Sequence, residues 1–118
     1  MATTSILGDV VSNVVGDAAD VEVVLPPGTD PHDFEPSPQQ VAAIGAADLV
    51  VANGLGLEEG LADVIEAASA EGTPVLHLAD GLDPIPRVGS QGAEATDESQ
   101  DPHFWHDPLL MADVGDEV

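Results

Sequence analysis

The 118-residue chain has no cysteine, no lysine and a single arginine, Arg87. Without cysteine there is neither a disulfide nor a thiolate metal site, so any metal bound here must draw its donors from His, Asp, Glu or water. One basic residue against 23 acidic ones leaves a formal net charge of −22. Such a chain repels nucleic acid and anionic lipid surfaces. The acids are spread along the sequence, the pattern of a halophilic-like surface that stays soluble where salt screens self-repulsion. The alternative reading of the same charge is a field that gathers cations. No apolar run approaches the ~20 residues of a membrane span. The opening M-A-T-T-S-I-L-G-D-V has no basic stretch and no long apolar core, so no signal peptide is expected in this chain.

What is present suffices for one globular domain over residues 1–118, with 43% hydrophobic residues. Ile6, Leu7, Val10, Val11, Val14 and Val15 recur four apart, which predicts a helix over Ser5–Asp17. Ala2–Thr4 reads as the stub of a preceding strand. Val21–Leu25 is a β-branched run closed by Pro26-Pro27-Gly28, hence a strand. Ser37, Pro38 and Gln40 form an N-cap, first-turn proline and capping box for a helix to about Ala46 that buries Val41 and Ile44. Leu49–Ala52 is an apolar strand. A helix follows over Leu57–Ala70, then a strand over Pro74–Ala79. Gly81–Gln100 reads as an irregular, acidic, mobile loop. Asp107 and Pro108 open a last helix carrying Leu109, Leu110, Met111 and Val114. This alternation predicts an α/β fold with about four parallel strands and helices on both faces. Ligands of such sheets bind beyond the carboxyl ends of the strands.

Asp-Pro-His occurs twice, at Asp30-Pro31-His32 and Asp101-Pro102-His103, although the chain has only four histidines. Neutral imidazole is the commonest protein ligand of a transition metal. His32 follows the second expected strand and His103 the fourth, so both belong on the binding edge. Prolines 31, 36 and 38 stiffen the His32 segment and lower the entropy lost on binding. His106, three residues after His103, could meet the same ion or stand exposed before the Asp107 cap. Asp30, Asp101 and Asp107 are candidates for orienting the rings or capping turns. Phe104 and Trp105 would anchor the His103 loop, and His77 reads as an ordinary strand residue. Asn53–Gly60 (N-G-L-G-L-E-E-G) follows a strand and opens a helix, but its third glycine is one place late and Glu58 and Glu59 would face the phosphates. Its glycines read instead as a tight turn. No nucleophile elbow, P-loop or H-E-x-x-H is present.

Four strings, T-T-S-I-L-G-D-V-V, L-P-P-G-T-D-P-H-D-F-E-P-S-P, A-A-D-L-V-V-A-N-G-L-G-L-E and D-P-H-F-W-H-D-P, run in order through nearly the whole chain. With them the chain resembles the amino-terminal lobe of the zinc/manganese-binding solute receptors of ABC transporters, the cluster A-I receptors. The resemblance implies two α/β lobes joined by a long helix, with the metal between them. It assigns two ligands of this lobe to His32 and His103 and the rest to the other lobe. It implies an extracytoplasmic receptor, often lipid-anchored, that hands zinc or manganese to an ABC permease and its ATPase. The metal is then transported substrate, and no catalytic residue or organic cofactor is expected.

Against the family pattern the chain lacks an export signal and most of the first strand, and it ends where the connecting helix should begin. Residues 89–100 hold no histidine, which argues against a zinc-specialised member. Two alternatives use the same residues: a metallohydrolase with Glu35 or Asp107 as base, and a fragment without function.

Overall fold

Thr4 opens the first helix. Its hydroxyl accepts a hydrogen bond from the Leu7 backbone N–H at 3.3 Å, satisfying one donor that the first turn leaves without a partner. The computed structural model describes residues 1–85 and 100–118. In it α1 runs over Ser5–Val15, and a single 3₁₀ turn over Gly16–Ala18 replaces the expected last residues. The capping box at Ser37 forms as its sequence dictates. Ser37 Oγ accepts from Gln40 N, Gln40 Oε1 accepts from Ser37 N at 2.9 Å, and α2 spans Pro38–Gly45. Gln40 Nε2 also donates to the Val24 carbonyl at 2.8 Å, tying the cap to the preceding extended segment.

β1 (Val50–Ala52) and β2 (Val75–His77) pair in parallel, with Val51 opposite Leu76. Between them α3 covers Ala62–Ala70, and a 3₁₀ turn over Glu59–Leu61 precedes it where the helix was expected to begin at Leu57. The regular ladder among the described residues therefore has two strands. On the other side of β1 the chain pairs through single parallel bridges, Ala2 with Val51 and Ala2 with Val23. Backbone bonds from Thr3 N to Val51 O (3.0 Å), Val51 N to Met1 O (2.8 Å) and Leu25 N to Thr3 O (2.9 Å) hold these segments in place. The strands expected over Ala2–Thr4 and Val21–Leu25 do not form as such; each is reduced to one bridged residue, Ala2 and Val23, followed by a bend. The last expected strand stops at His77, because Leu78–Gly81 turns into a 3₁₀ helix.

Alternation along β1 divides the core. Val51 packs with Leu7 and Val11 of α1, with Leu78 and Phe104, and with Val114 of the last helix, α4 (Pro108–Glu117). Val50 and Ala52 pack on the opposite side with Ile44 of α2 and Leu61, Ile65 and Ala68 around α3. Successive strand side chains point to opposite faces, so α1 and α4 cover one face and α2 and α3 the other. Two expected core positions turn outward instead. Val41 is 40% exposed and Leu109 is 78% exposed, since each lies on the side of its helix away from the strands. None of the described helices is long and apolar enough to cross a membrane. Most of the loop expected over Gly81–Gln100, with Arg87, lies outside the described residues.

Gly60 marks where the His32 segment meets this frame. A Cβ at that position would collide with the Phe34 carbonyl, its carbon lying 2.9 Å away. Backbone cannot yield as a side-chain tip can, so Gly60→Ala is expected to cost about 1–3 kcal/mol. Urea unfolding of the variant checks this.

Candidate metal centre

Each Asp-Pro-His folds by the same local rule. Asp30 Oδ1 accepts from the His32 backbone N–H at 3.0 Å, and Asp101 Oδ1 accepts from the His103 backbone N–H at 3.0 Å. Both are Asx turns, in which an aspartate takes the amide two residues ahead. The proline between has no N–H to compete for the carboxylate. Ahead of the first copy, Pro26-Pro27-Gly28-Thr29 makes a turn closed by Thr29 N to Pro26 O at 3.1 Å, with Gly28 at φ 82°. Gly at this third position meets the steric demand of a positive φ.

The second copy is carried by the end of β1. Asn53, fully buried, donates from Nδ2 to the Pro102 carbonyl at 2.9 Å. Pro102 is itself buried, and Phe104 sinks into the core beside Val51 and Val114. After His103 the backbone makes one 3₁₀ turn over Phe104–His106, then Asp107 caps α4 by accepting from Leu109 N at 2.8 Å. His103 is pinned on both sides at the carboxyl end of β1, where an open parallel sheet binds its ligands.

The result is that His32 and His103 face one another, with ring centroids 5.8 Å apart and planes inclined by 58°. Side-chain exposure is 30% for His32 and 37% for His103, so each ring is reachable from solvent yet backed by protein. Asp101 Oδ1 also lies 2.6 Å from His103 Nδ1. An ionised carboxylate can only accept, so this contact favours, for the neutral ring, the tautomer with hydrogen on Nδ1 and the lone pair on Nε2. His32 Nδ1 lies 3.5 Å from Glu59 Oε1. Trp105 sets its edge against His103 at a centroid distance of 5.1 Å, flanking the pair on one side.

His106 stands exposed and stacks loosely on Trp105. Among the described residues no set of three or more His, Asp or Glu groups converges on a point. His106 therefore does not turn the pair into a three-ligand cluster. Of the three candidate acids, Asp30 and Asp101 form the Asx turns and Asp107 caps α4. His77 is exposed at the end of β2.

Sequence inspection did not single out Asn53 or Glu58 as supports. Glu58 is buried, and its Oε1 accepts from Thr3 Oγ1 at 2.5 Å and from Asn53 N at 2.7 Å, while Oε2 accepts from Gly54 N at 3.3 Å. N-G-L-G-L-E is thus a tight return in which Gly54, Leu55 and Gly56 all adopt positive φ, bringing Glu58 back under Asn53. A polar residue closing such a turn onto a strand end was the available signal.

These features have counterparts in known proteins. A family profile described as ZnuA, the periplasmic zinc-uptake complex component A, matches residues 1–118. The manganese-binding lipoprotein MntA of Halalkalibacterium halodurans is 38% identical over 103 residues, 87% of this chain and 31% of its own length. The manganese ABC transporter substrate-binding lipoprotein PsaA of Streptococcus pneumoniae is 34% identical over 110 residues, 89% of this chain and 34% of its own. Among solved structures, the periplasmic zinc-binding protein TroA of Treponema pallidum superposes with a TM-score of 0.80 at 26% identity, over 98% of this chain and 39% of that one. A crystal structure of ZnuA gives a TM-score of 0.78 at 29% identity, over 98% and 44%. The chain spans about a third of the length of the curated relatives it matches.

Proposed function

We propose, on the premise that this chain belongs to the ZnuA family of periplasmic zinc-uptake components, that it captures zinc or manganese as a metal-binding lobe of an ABC-importer receptor. His32 and His103 are its ligands, each through Nε2. The observation that carries this is the 5.8 Å spacing of the two rings. Two imidazoles on one tetrahedral ion, with metal–nitrogen bonds of about 2.0–2.1 Å, place their ring centres about 5–6 Å apart. The fold of the chain brings the two rings to a separation that one shared ion requires.

The ion is cargo here, and the role is capture and release rather than catalysis. Two imidazoles leave further coordination positions, for water or for ligands of a second lobe. A pair alone holds metal more weakly than a full set of four ligands. Relatives named as binding manganese and structural neighbours named as binding zinc support both metals as cargo. In this reading the receptor works outside the cytoplasmic membrane and delivers to a permease and its ATPase. The lobe is one of two, with a sheet of about four parallel strands covered by helices on both faces. The parallel bridges of Ala2 to Val23 and Val51 support that count, since they extend the β1–β2 ladder in one direction.

Titration of the chain with zinc and with manganese, followed by Trp105 fluorescence, tests the proposal. The sole tryptophan stands against His103, so a saturable change with one ion per chain is expected. A response to neither metal at millimolar concentration sinks it.

A further inference from the structure

The geometry points to Glu59 as the positioning residue that sets the tautomer and aim of His32, as Asp101 does for His103. This rests on the proposed metal site and adds a residue to it. Three observations carry it. Glu59 Oε1 is 3.5 Å from His32 Nδ1, a charge contact longer than the 2.6 Å hydrogen bond of Asp101 to His103, so each ring has a carboxylate on its Nδ1 side. The backbone next to it is fixed, because Gly60 lies directly against the Phe34 carbonyl of the His32 loop, where no Cβ fits. Glu59 is therefore held beside that loop by main-chain contact, not by the reach of a flexible side chain. Finally, Glu59 begins the 3₁₀ turn over Glu59–Leu61, whose Leu61 is wholly buried in the core with Ile44 and Ile65. The carboxylate thus stands on an anchored turn although its own side chain is 70% exposed.

The physical consequence is specific. An ionised carboxylate can only accept, so a short closure of the 3.5 Å gap lets Glu59 take a hydrogen bond from Nδ1, favouring the neutral tautomer that leaves the Nε2 lone pair for the ion. It also limits rotation of the ring about its bond to Cβ. The pair of imidazoles would then present two Nε2 atoms, each backed by an acid from a different part of the chain. Asp101 Oδ1 meets both the backbone N–H and the ring Nδ1 of His103. At His32 the two roles are divided, with Asp30 on the backbone N–H and Glu59, from another part of the fold, beside the ring.

Long-range proton–nitrogen NMR of the metal-free chain at pH about 8.5, above the usual imidazole range, reads the tautomer of each histidine. In the wild type, His32 and His103 are both expected as the Nδ1–H form. Glu59→Ala should shift His32 toward a mixture and leave His103 unchanged, while Glu59→Gln, which keeps an acceptor oxygen, should restore most of the Nδ1–H form. Zinc affinity should fall about three- to tenfold in Glu59→Ala, less than the ~10–100-fold of buried outer partners because this carboxylate is largely exposed, and by less again in Glu59→Gln. An unchanged His32 tautomer in Glu59→Ala overturns the inference. So does an equal loss of affinity in both variants, since that reports only a lost negative charge. If the wild type binds no metal at all, the site proposal fails, and the tautomer shift still decides whether Glu59 sets the ring.

Discussion

His32→Ala and His103→Ala are each expected to weaken zinc and manganese binding by more than the ~10–100-fold typical of losing an outer-shell partner. Each variant leaves a single imidazole at the site. A lone imidazole gains nothing from the 5.8 Å placement of a second, so the first substitution removes most of the affinity and the double variant should add little. That pattern is the mark of residues acting as a unit. Isothermal titration with both metals measures it, and melting curves check that the fold survives. Both side chains are about a third exposed, so the melts should stay close to wild type. Full affinity in both single variants would remove these histidines from the site. His106→Ala serves as the comparison within the same turn. With no place in a three-ligand set among the described residues, it should bind almost as the wild type does.

Glu58→Ala is expected to destabilise the chain by about 3–5 kcal/mol, and Glu58→Gln by about 1–2 kcal/mol. Alanine leaves the Thr3 hydroxyl and the Asn53 and Gly54 amides without their acceptor in the interior. Each orphaned group costs on the order of 1–3 kcal/mol, and partial relaxation keeps the total below the sum. Glutamine can keep its one carbonyl oxygen on the two short bonds at 2.5 and 2.7 Å. Its amide then faces the Gly54 N–H, donor against donor, which is why the cost does not vanish. Urea unfolding with both variants gives the difference directly. Equal stability of the alanine variant and wild type would show that Glu58 is not what joins Thr3 to the end of β1. Metal affinity should fall along with stability, because Asn53, held by Glu58, is also what holds the Pro102–His103 loop.

Features whose partners lie a few residues apart were legible from sequence. Ser37 and Gln40 are three residues apart, and the helix they cap starts at Pro38 as expected. Asp107 caps α4 by the same logic. The two Asx turns reach only two residues ahead, so the repeated tripeptide could be taken as two equivalent structures. Strand extent was harder. Val21–Leu25 has the composition of a strand, yet the ladder it joins is one bridge long, because strand length depends on how much backbone the partner segment offers. Val41 and Leu109 have hydrophobic side chains at plausible helical positions. Only the packing of α2 and α4 decides that both turn to solvent.

The supports of the site are long-range. Asn53 to Pro102 spans 49 residues and Thr3 to Glu58 spans 55. A polar residue closing the glycine-rich turn is a signal for a strand-end support, but N-G-L-G-L-E-E-G does not say which glutamate turns inward and which stands beside the His32 ring. The two imidazoles, their Asx turns, the lack of thiolate donors and the mixing of helices with strands could all be read from the residues in order. These depend on residue type, short-range hydrogen bonds and hydrophobic period. The tertiary structure alone decided that the rings stand 5.8 Å apart, that His106 stays outside the pair, and that a carboxylate stands at Nδ1 of each ring. Distances between loops are set by how the two sides of the core pack around β1, and that packing is a property of the whole chain.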